Sequence, residues 1–442
     1  LGRAGEVNLM SRLEDALNRF LPDVYAAMAD WGITPQPIDF EIVPADAIYE
    51  MASYGMPGHF SHWTYGRDFW RMKQQFESGA GRLYEMIIDT EPPVAYLLES
   101  NTLAAQKLVV AHCLGHADLF RHHLLAKDQP KQFHQTLASA AERFDHYRQQ
   151  YGPERLETVL DDALAIQAQV ADESGRTPPA VSTSADWPYH DLWPGRESGR
   201  TTPPTRYRLP TADLLGFIAR FSPVLAEWER DVLEVVRQEG LYYRPRRQIK
   251  MIHEGWATYC HQRLLAEVEL PPGEQIEAAR IHAEVAWPHP LGVNPYWFGW
   301  RLIQLLVAER GLLSARAVLL EETDASLVRN YLTPEWMEAL DLFEYRWTDG
   351  FLMTPEGPQA IYAAERQKME PDLLRNRLAN WLGERPPEIV VEMVDADDRL
   401  MLSHTDDGHP LDREWAQLTL EGIRRLWGHP VVLYDDDAQY SA

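Results

Sequence analysis

Apolar side chains return at steps of three and four between residues 8 and 30: Leu9, Leu13, Leu17, Leu21, Val24 and Met28 share one face, with polar residues between them. This is the period of an α-helix with one buried stripe. It predicts a long first helix, stopped by Gly32 and Pro35. The pattern then shortens. Residues 40–43, 83–88 and 94–98 are brief runs rich in apolar and β-branched side chains, the last two punctuated by Pro92-Pro93, and they predict three strands. The stretch 54–66 between the first two is rich in Gly, His and aromatic residues and reads as a loop. After Leu98 the helical period resumes. Asn101 or Thr102 is placed to cap a helix reaching about Leu125 through Leu103, Leu108, Val109, Leu114 and Phe120. Further helices are expected over 131–150, 153–170, 212–239, 248–268, 274–287, 295–310 and 334–347.

Two segments break this rhythm. Residues 172–210 hold Pro178-Pro179, Pro188, Pro194, Pro203-Pro204 and Pro210 among many Ser, Thr and Gly. They read as a long insert, either a lid or a wrap packed through Trp187, Tyr189 and Trp193. The end of the chain alternates faster: a helix over 373–382, strands at 389–393 and 400–404 about a turn at 395–398, a helix over 412–426 and a strand at 431–434. Asp435-Asp436-Asp437 reads as a solvated tail. The expected division is therefore 1–171, a sheet-and-helix region; 172–210, the insert; 211–365, a helical region; and 366–442, a small α/β module. The fold class is α+β, a mostly helical body with one small mixed sheet.

Composition narrows the function. The chain has 442 residues, 45% apolar and 25% charged, enough for a large buried core. Lys and Arg total 42 against 67 Asp and Glu, a net charge of −25. Such a surface repels polyanions, so nucleic-acid and anionic-membrane binding are disfavoured. No run of about 18 apolar residues offers a membrane span, and the opening residues lack the apolar core of a signal peptide. Only Cys113 and Cys260 are present, which excludes a disulfide framework and points to a reducing cytoplasm.

The strongest chemical signal is Ala111-His112-Cys113-Leu114-Gly115-His116. Two imidazoles at i and i+4 share one helix face, a turn apart, and can both bind one tetrahedral ion, as the histidines of H-E-x-x-H zinc enzymes do. Cys113 stands where the glutamate of that motif belongs. With 16 histidines in the chain, a chance pair of this spacing is not rare. The second signal is His253-Glu254-Gly255-Trp256-Ala257. It resembles the E-G-x-A helix from which glutamate-zincins (gluzincins) supply a third, carboxylate ligand. The order strand, His-pair helix, insert, Glu-Gly-Trp-Ala helix matches the zincin layout. The expected metal ligands are thus His112, His116 and Glu254, the expected metal zinc, and the expected sheet zincin-like.

Hydrolysis also needs a proton acceptor. Glu99, between the third strand and the His-pair helix, either serves as that group or caps the helix; His253 is the other candidate, with a packing role equally open. Asp118 and Cys113 are candidates to support the ligands from behind, against a solvated face for Asp118 and an inert thiol for Cys113. His59, His62 and Tyr65 are candidate substrate contacts, or an aromatic clamp on the first helix. Arg247, with Arg244 and Arg246, can hold an anionic substrate group or pair with nearby acids.

Residues 95–101, the run from Ala104 to His112 with Gly115-His116, Glu254-Gly255-Trp256-Ala257, Asn294-Pro295-Tyr296 with Gly299, and His62-Trp63 with Tyr65-Gly66 together resemble the stage V sporulation protein R (SpoVR) family. The tail, with Leu411-Asp412 and Leu426-Trp427-Gly428, resembles that family's C-terminus. The family often carries Asn where this chain has His253. The resemblance implies a bacterial cytoplasmic protein tied to spore-cortex formation or stress response and to a PrkA-type serine kinase. Joined to the spacing argument, it leads to two expectations. One is a zinc hydrolase cutting an amide in a peptide or peptidoglycan-related substrate. The other is a regulator or scaffold that kept the fold and lost the base.

Overall fold

The computed structural model of the chain describes residues 3–79, 81–171, 209–289, 292–354, 357–367, 369–382, 386–404, 410–435 and 438–442. Elements run α1 (Arg3–Asp30), β1 (Asp39–Val43), α2 (Ala45–Tyr54), α3 (Trp63–Glu77), β2 (Glu85–Ile88), β3 (Val94–Leu98), α4 (Leu103–His122), α5 (Phe133–Tyr151) and α6 (Pro153–Ala165). Then follow α7 (Leu214–Phe221), α8 (Glu227–Arg247), α9 (Lys250–Glu267), α10 (Pro272–Val285), α11 (Pro295–Arg310), α12 (Leu312–Glu321), α13 (Asp324–Tyr331) and α14 (Pro334–Ala339). The chain closes with β4 (Glu344–Thr354), β5 (Gly357–Gln367), α15 (Pro371–Leu382), β6 (Ile389–Val394), β7 (Leu400–His404), α16 (Arg413–Trp427), β8 (Val431–Asp435) and β9 (Ala438–Ser441). Helices dominate and the strands form small separate sheets, so the class is α+β. Most of the expected insert, including Trp187, Tyr189 and Trp193, lies outside the described residues.

Contacts divide the chain into two units, each discontinuous in sequence. The first is Leu1–Pro57, Tyr65–Gln132 and Pro245–Glu384; the second is Gly58–Thr64, Phe133–Arg244 and Arg385–Ala442. The partition is interleaved where the sequence reading was linear. Within the second unit the reason is visible. Arg425 on α16 grips buried Asp162 on α6 with two hydrogen bonds, at 2.9 and 2.6 Å, and Thr211 exchanges backbone hydrogen bonds with Val391 on β6. The C-terminal sheet, ordered β6-β7-β8-β9 with β7 parallel to β8, therefore completes a unit begun far upstream. Asp435 is no free tail residue: it ends β8, which pairs antiparallel with β9, and accepts a hydrogen bond from His404 Nδ1 at 2.8 Å, while Asp436 and Asp437 lie outside the described residues.

In the first unit β3 lies between β1, which it parallels, and β2, which it opposes. Its Ala95, Leu97 and Leu98 are buried. The chain leaves β3 through a short turn. Thr102 accepts from the Ala105 N–H as the N-cap, and Gln106 Nε2 donates back to Leu98 O, so the start of α4 is tied to the end of the strand. Every residue of α4 from Leu108 to Phe120 is buried. A helix this apolar on all sides belongs at the centre of a core, and α1, α9 and α10 pack around it.

Some expected boundaries moved. The span 334–347 is helical only to Ala339. Asp341 adopts a left-handed φ of 52°, and the chain then runs as β4, paired with β5 along its length. The span 212–239 is two helices, because Pro223 after the C-cap Ser222 has no N–H to continue the ladder. Within 54–66 the helix α3 already starts at Trp63.

Candidate metal centre

The centre forms where α4 and α9 touch backbone to backbone. A Cβ placed on Gly115 of α4 falls 2.6 Å from Ala257 Cα, and one on Gly255 of α9 falls 2.5 Å from the Gly299 carbonyl carbon on α11. No side chain larger than hydrogen fits at either crossing. The small residues of the two motifs are thus what lets three helices approach closely enough for side chains on α4 and α9 to share one ion.

His112 and His116 project from α4 with Nε2 atoms 3.1 Å apart, and Glu254 Oε2 on α9 lies 3.6 Å from the first and 3.7 Å from the second. A point equidistant from the three atoms is about 2.0 Å from each, the length of a zinc–nitrogen or zinc–carboxylate bond. Among the described residues these three form a group with metal-ligand geometry. Glu254 Oε2 is buried and has no hydrogen-bond partner. A buried carboxylate oxygen without a donor is costly, and a cation at the shared point removes that cost. The donor set, two imidazoles and one carboxylate, is one that zinc accepts with a fourth position open.

Around this trio stand further polar groups, of which the sequence marked His253 as a candidate proton acceptor and Tyr296 within the family resemblance. Glu85 on β2 brings Oε1 to 3.9 Å from His112 Nε2. Burial pushes its carboxyl above the ordinary range, against the pull of His112 and with the repulsion of Glu254. The Tyr296 ring at the start of α11 stacks on His112 at 6.2 Å, and its hydroxyl is driven well above its usual value by the Glu254 charge and by burial. Burial also pulls the Glu254 carboxyl upward. The pull of His112, the charge of His116 and the nearby Tyr296 hydroxyl outweigh it and hold the group below its ordinary range. His261 Nδ1 lies 3.1 Å from His112 Nδ1, and His253 Nδ1 lies 3.1 Å from His116 Nδ1.

The remaining expected residues fall in varied places. Glu99 is exposed in the turn after β3, its backbone N–H bonded to Val43 O, and the carboxylate near the imidazoles is Glu85 instead. Asp118 faces away from both ligands: it accepts from Arg316 at 2.8 and 2.6 Å, from Trp256 Nε1 at 3.1 Å and from His122, clamping α4 to α9 and α12. The Cys113 thiol is fully buried, and burial, aided by Glu85 and Glu254, pushes its pKa well up, so it stays protonated. His59 and His62 belong to the second unit. There His59 contacts Phe60 O and Glu239, each at 2.9 Å, and His62 contacts Thr64 Oγ1 at 2.7 Å and Asp161 at 3.0 Å. Tyr65 packs against Tyr54 in the first unit, and Arg247 is exposed at the end of α8.

Burial, joined by the His112 charge, lowers His116 to about 4, and burial drives His253 and His261 well below the ordinary histidine value. Burial also lowers His112, but Glu254 and Glu85 more than offset this and leave it raised. The three lowered histidines remain neutral in the folded chain while the unfolded chain takes up protons below about 6.5. The lowered histidines thus contribute stability that is full above that value and lost as pH falls towards 4, while His112 and the raised carboxyls of Glu85, Asp89 and Asp162 act in the opposite direction. The His116 shift by itself is worth about 3 kcal/mol, so urea unfolding at pH 7 and pH 4.5 is expected to differ by at least about 2 kcal/mol. Equal midpoints at the two values contradict this burial argument.

A family model described as SpoVR like protein matches residues 13–356, and one described as SpoVR-like C-terminal domain matches residues 387–438. The chain is 26% identical over 475 residues to the uncharacterized protein YcgB of Escherichia coli (strain K12), covering 93% of this chain and 91% of the relative. No solved structure matches. Among the described residues no helix is long and apolar enough to cross a membrane.

Proposed function

The chain belongs to the SpoVR-like protein family, and from that premise we propose that it is a zinc-dependent hydrolase of gluzincin type, holding the ion on His112, His116 and Glu254. The observation that carries the reading is the three-atom geometry with its orphaned Glu254 oxygen. When bound, zinc polarises a carbonyl and acidifies water. The chain's own residues do the rest. Glu85 takes the part that Cys113 cannot: a buried carboxylate with raised proton affinity is suited to accept a proton at Oε1 and return it to a leaving amine. Tyr296 lies within reach of the Glu254 charge and stacks beside His112, where its hydroxyl can serve a developing oxyanion. The family's tie to cortex and stress suggests an amide in a peptide or peptidoglycan-related substrate, met in the cytoplasm.

One observation favours a second reading. The position from which H-E-x-x-H enzymes present their base holds a buried, protonated thiol. On that reading the chain is a scaffold acting with a PrkA-type serine kinase, and the zincin-like core is a relic. One pair of measurements separates the two. The hydrolase reading expects about one zinc per chain in protein purified without added metal, and a Glu85→Gln variant that keeps its zinc yet fails to complement a deletion strain, with turnover down by roughly a hundredfold or more. Full complementation by Glu85→Gln and by Glu254→Gln supports the scaffold.

A further inference from the structure

The ligand imidazoles are held from behind by other imidazoles. His112 Nδ1 faces His261 Nδ1 at 3.1 Å, His116 Nδ1 faces His253 Nδ1 at 3.1 Å, and His261 Nε2 faces His282 Nδ1 at 2.9 Å. Each contact joins two ring nitrogens, so each holds one proton. A neutral histidine that binds a metal through Nε2 carries its proton on Nδ1. His112 and His116 must then donate, and His261 and His253 must accept. Their own protons are thereby confined to Nε2. His261 passes the order on, donating to His282 Nδ1.

We propose that His261 and His253 are the positioning residues of this centre, each accepting the Nδ1–H of one ligand so that the Nε2 lone pairs of His112 and His116 converge on the metal. This rests on the metal reading above. Carboxylates or backbone carbonyls usually fill such places, and the carboxylate nearest in sequence, Asp118, is committed to Arg316, Trp256 and His122. Electrostatics explains the choice. Glu254 and Glu85 already place two carboxylates 3.6 and 3.9 Å from His112 Nε2. A further buried carboxylate adds a charge with no partner of its own, whereas a neutral imidazole accepts the hydrogen bond and adds none. The helical framework delivers both acceptors from one element: His253, Glu254 and His261 all lie on α9, and His282 lies on α10.

The test uses the full chain loaded with zinc or cobalt(II). Chelator competition is expected to show zinc held 10–100-fold more weakly by His261→Phe. His261→Asn, whose amide oxygen can accept near the Nδ1 position, should stay within a few-fold of the unaltered protein with an unchanged cobalt absorption spectrum. In the unaltered zinc protein, nitrogen-15 NMR of the imidazoles should find His253, His261 and His282 as Nε2–H tautomers. This last measurement does not depend on any variant folding. Unchanged zinc affinity in His261→Phe, or an Nδ1–H tautomer at His261 or His253, overturns the positioning role while the metal centre stands. A chain that binds no zinc at all overturns the metal reading and the inference together.

Discussion

The His116→Ala protein is expected to bind zinc at least about a thousandfold more weakly than the unaltered chain, well beyond the 10–100-fold that changes behind the ligands cost. Among the described residues the imidazole is one of three grouped donors around the shared point, and its Nε2 lies 3.1 Å from His112 and 3.7 Å from Glu254. Alanine leaves two donors, and among the described residues no further His, Cys, Asp or Glu belongs to the ligand group. Glu85 Oε1 is 3.9 Å from His112 Nε2, and burial raises its proton affinity. Zinc at a hundred times its dissociation constant adds about 2.7 kcal/mol to the stability of the folded chain. That increment should vanish in the variant while the metal-free proteins unfold within about 2 kcal/mol of each other. Equilibrium dialysis against a zinc buffer, followed by thermal unfolding with and without metal, checks both halves. Undiminished zinc content in His116→Ala excludes the trio as ligands.

Gly115→Ala is expected to destabilise the chain by at least about 3 kcal/mol, the upper part of the usual range for an overpacked core. The added methyl meets backbone, Ala257 Cα at 2.6 Å and Ala257 N at 3.1 Å, and backbone cannot rotate aside as a side-chain tip can. The helices must part by most of an ångström. The parting separates His112 and His116 on α4 from Glu254 on α9, so zinc affinity falls together with stability. Gly273→Ala on α10 is the control: a Cβ there meets nothing within 4 Å, and alanine in a helix is favoured over glycine by up to about 1 kcal/mol. Urea unfolding of the two variants side by side decides the matter. A Gly115→Ala protein as stable as Gly273→Ala contradicts the close approach of α4 and α9.

Both arguments start from features written into short stretches of chain. An i, i+4 pair shares a helix face whatever the rest of the molecule does, so His112 and His116 could be paired before any fold was known. The runs at 40–43 and 94–98 declare themselves as strands in the same local way, as does the apolar stripe of α1. Glu254 was legible through its neighbours Gly255 and Ala257, residues too small to be there for their own packing and now seen against Gly299 and Gly115. His261 carried a weaker mark: it lies seven residues beyond Glu254, two turns along α9, and that spacing alone is common in any long helix.

Glu85 and His282 carried no mark at all, and Tyr296 none beyond its place in the family resemblance. Each reaches the centre from an element distant in sequence, and a lone acid in a strand or a tyrosine after Asn-Pro has no period to betray it. Their roles arise from how α10 and β2 pack on α4 and α11 packs on α9. The same long-range packing placed Glu99 in solvent and turned Asp118 towards Arg316. It also tied α16 to α6. Spacing along one helix is enforced by the backbone's own geometry and survives translation from sequence to structure. Which faces meet is settled by the collective burial of apolar surface, a sum over the whole chain that no window of residues contains.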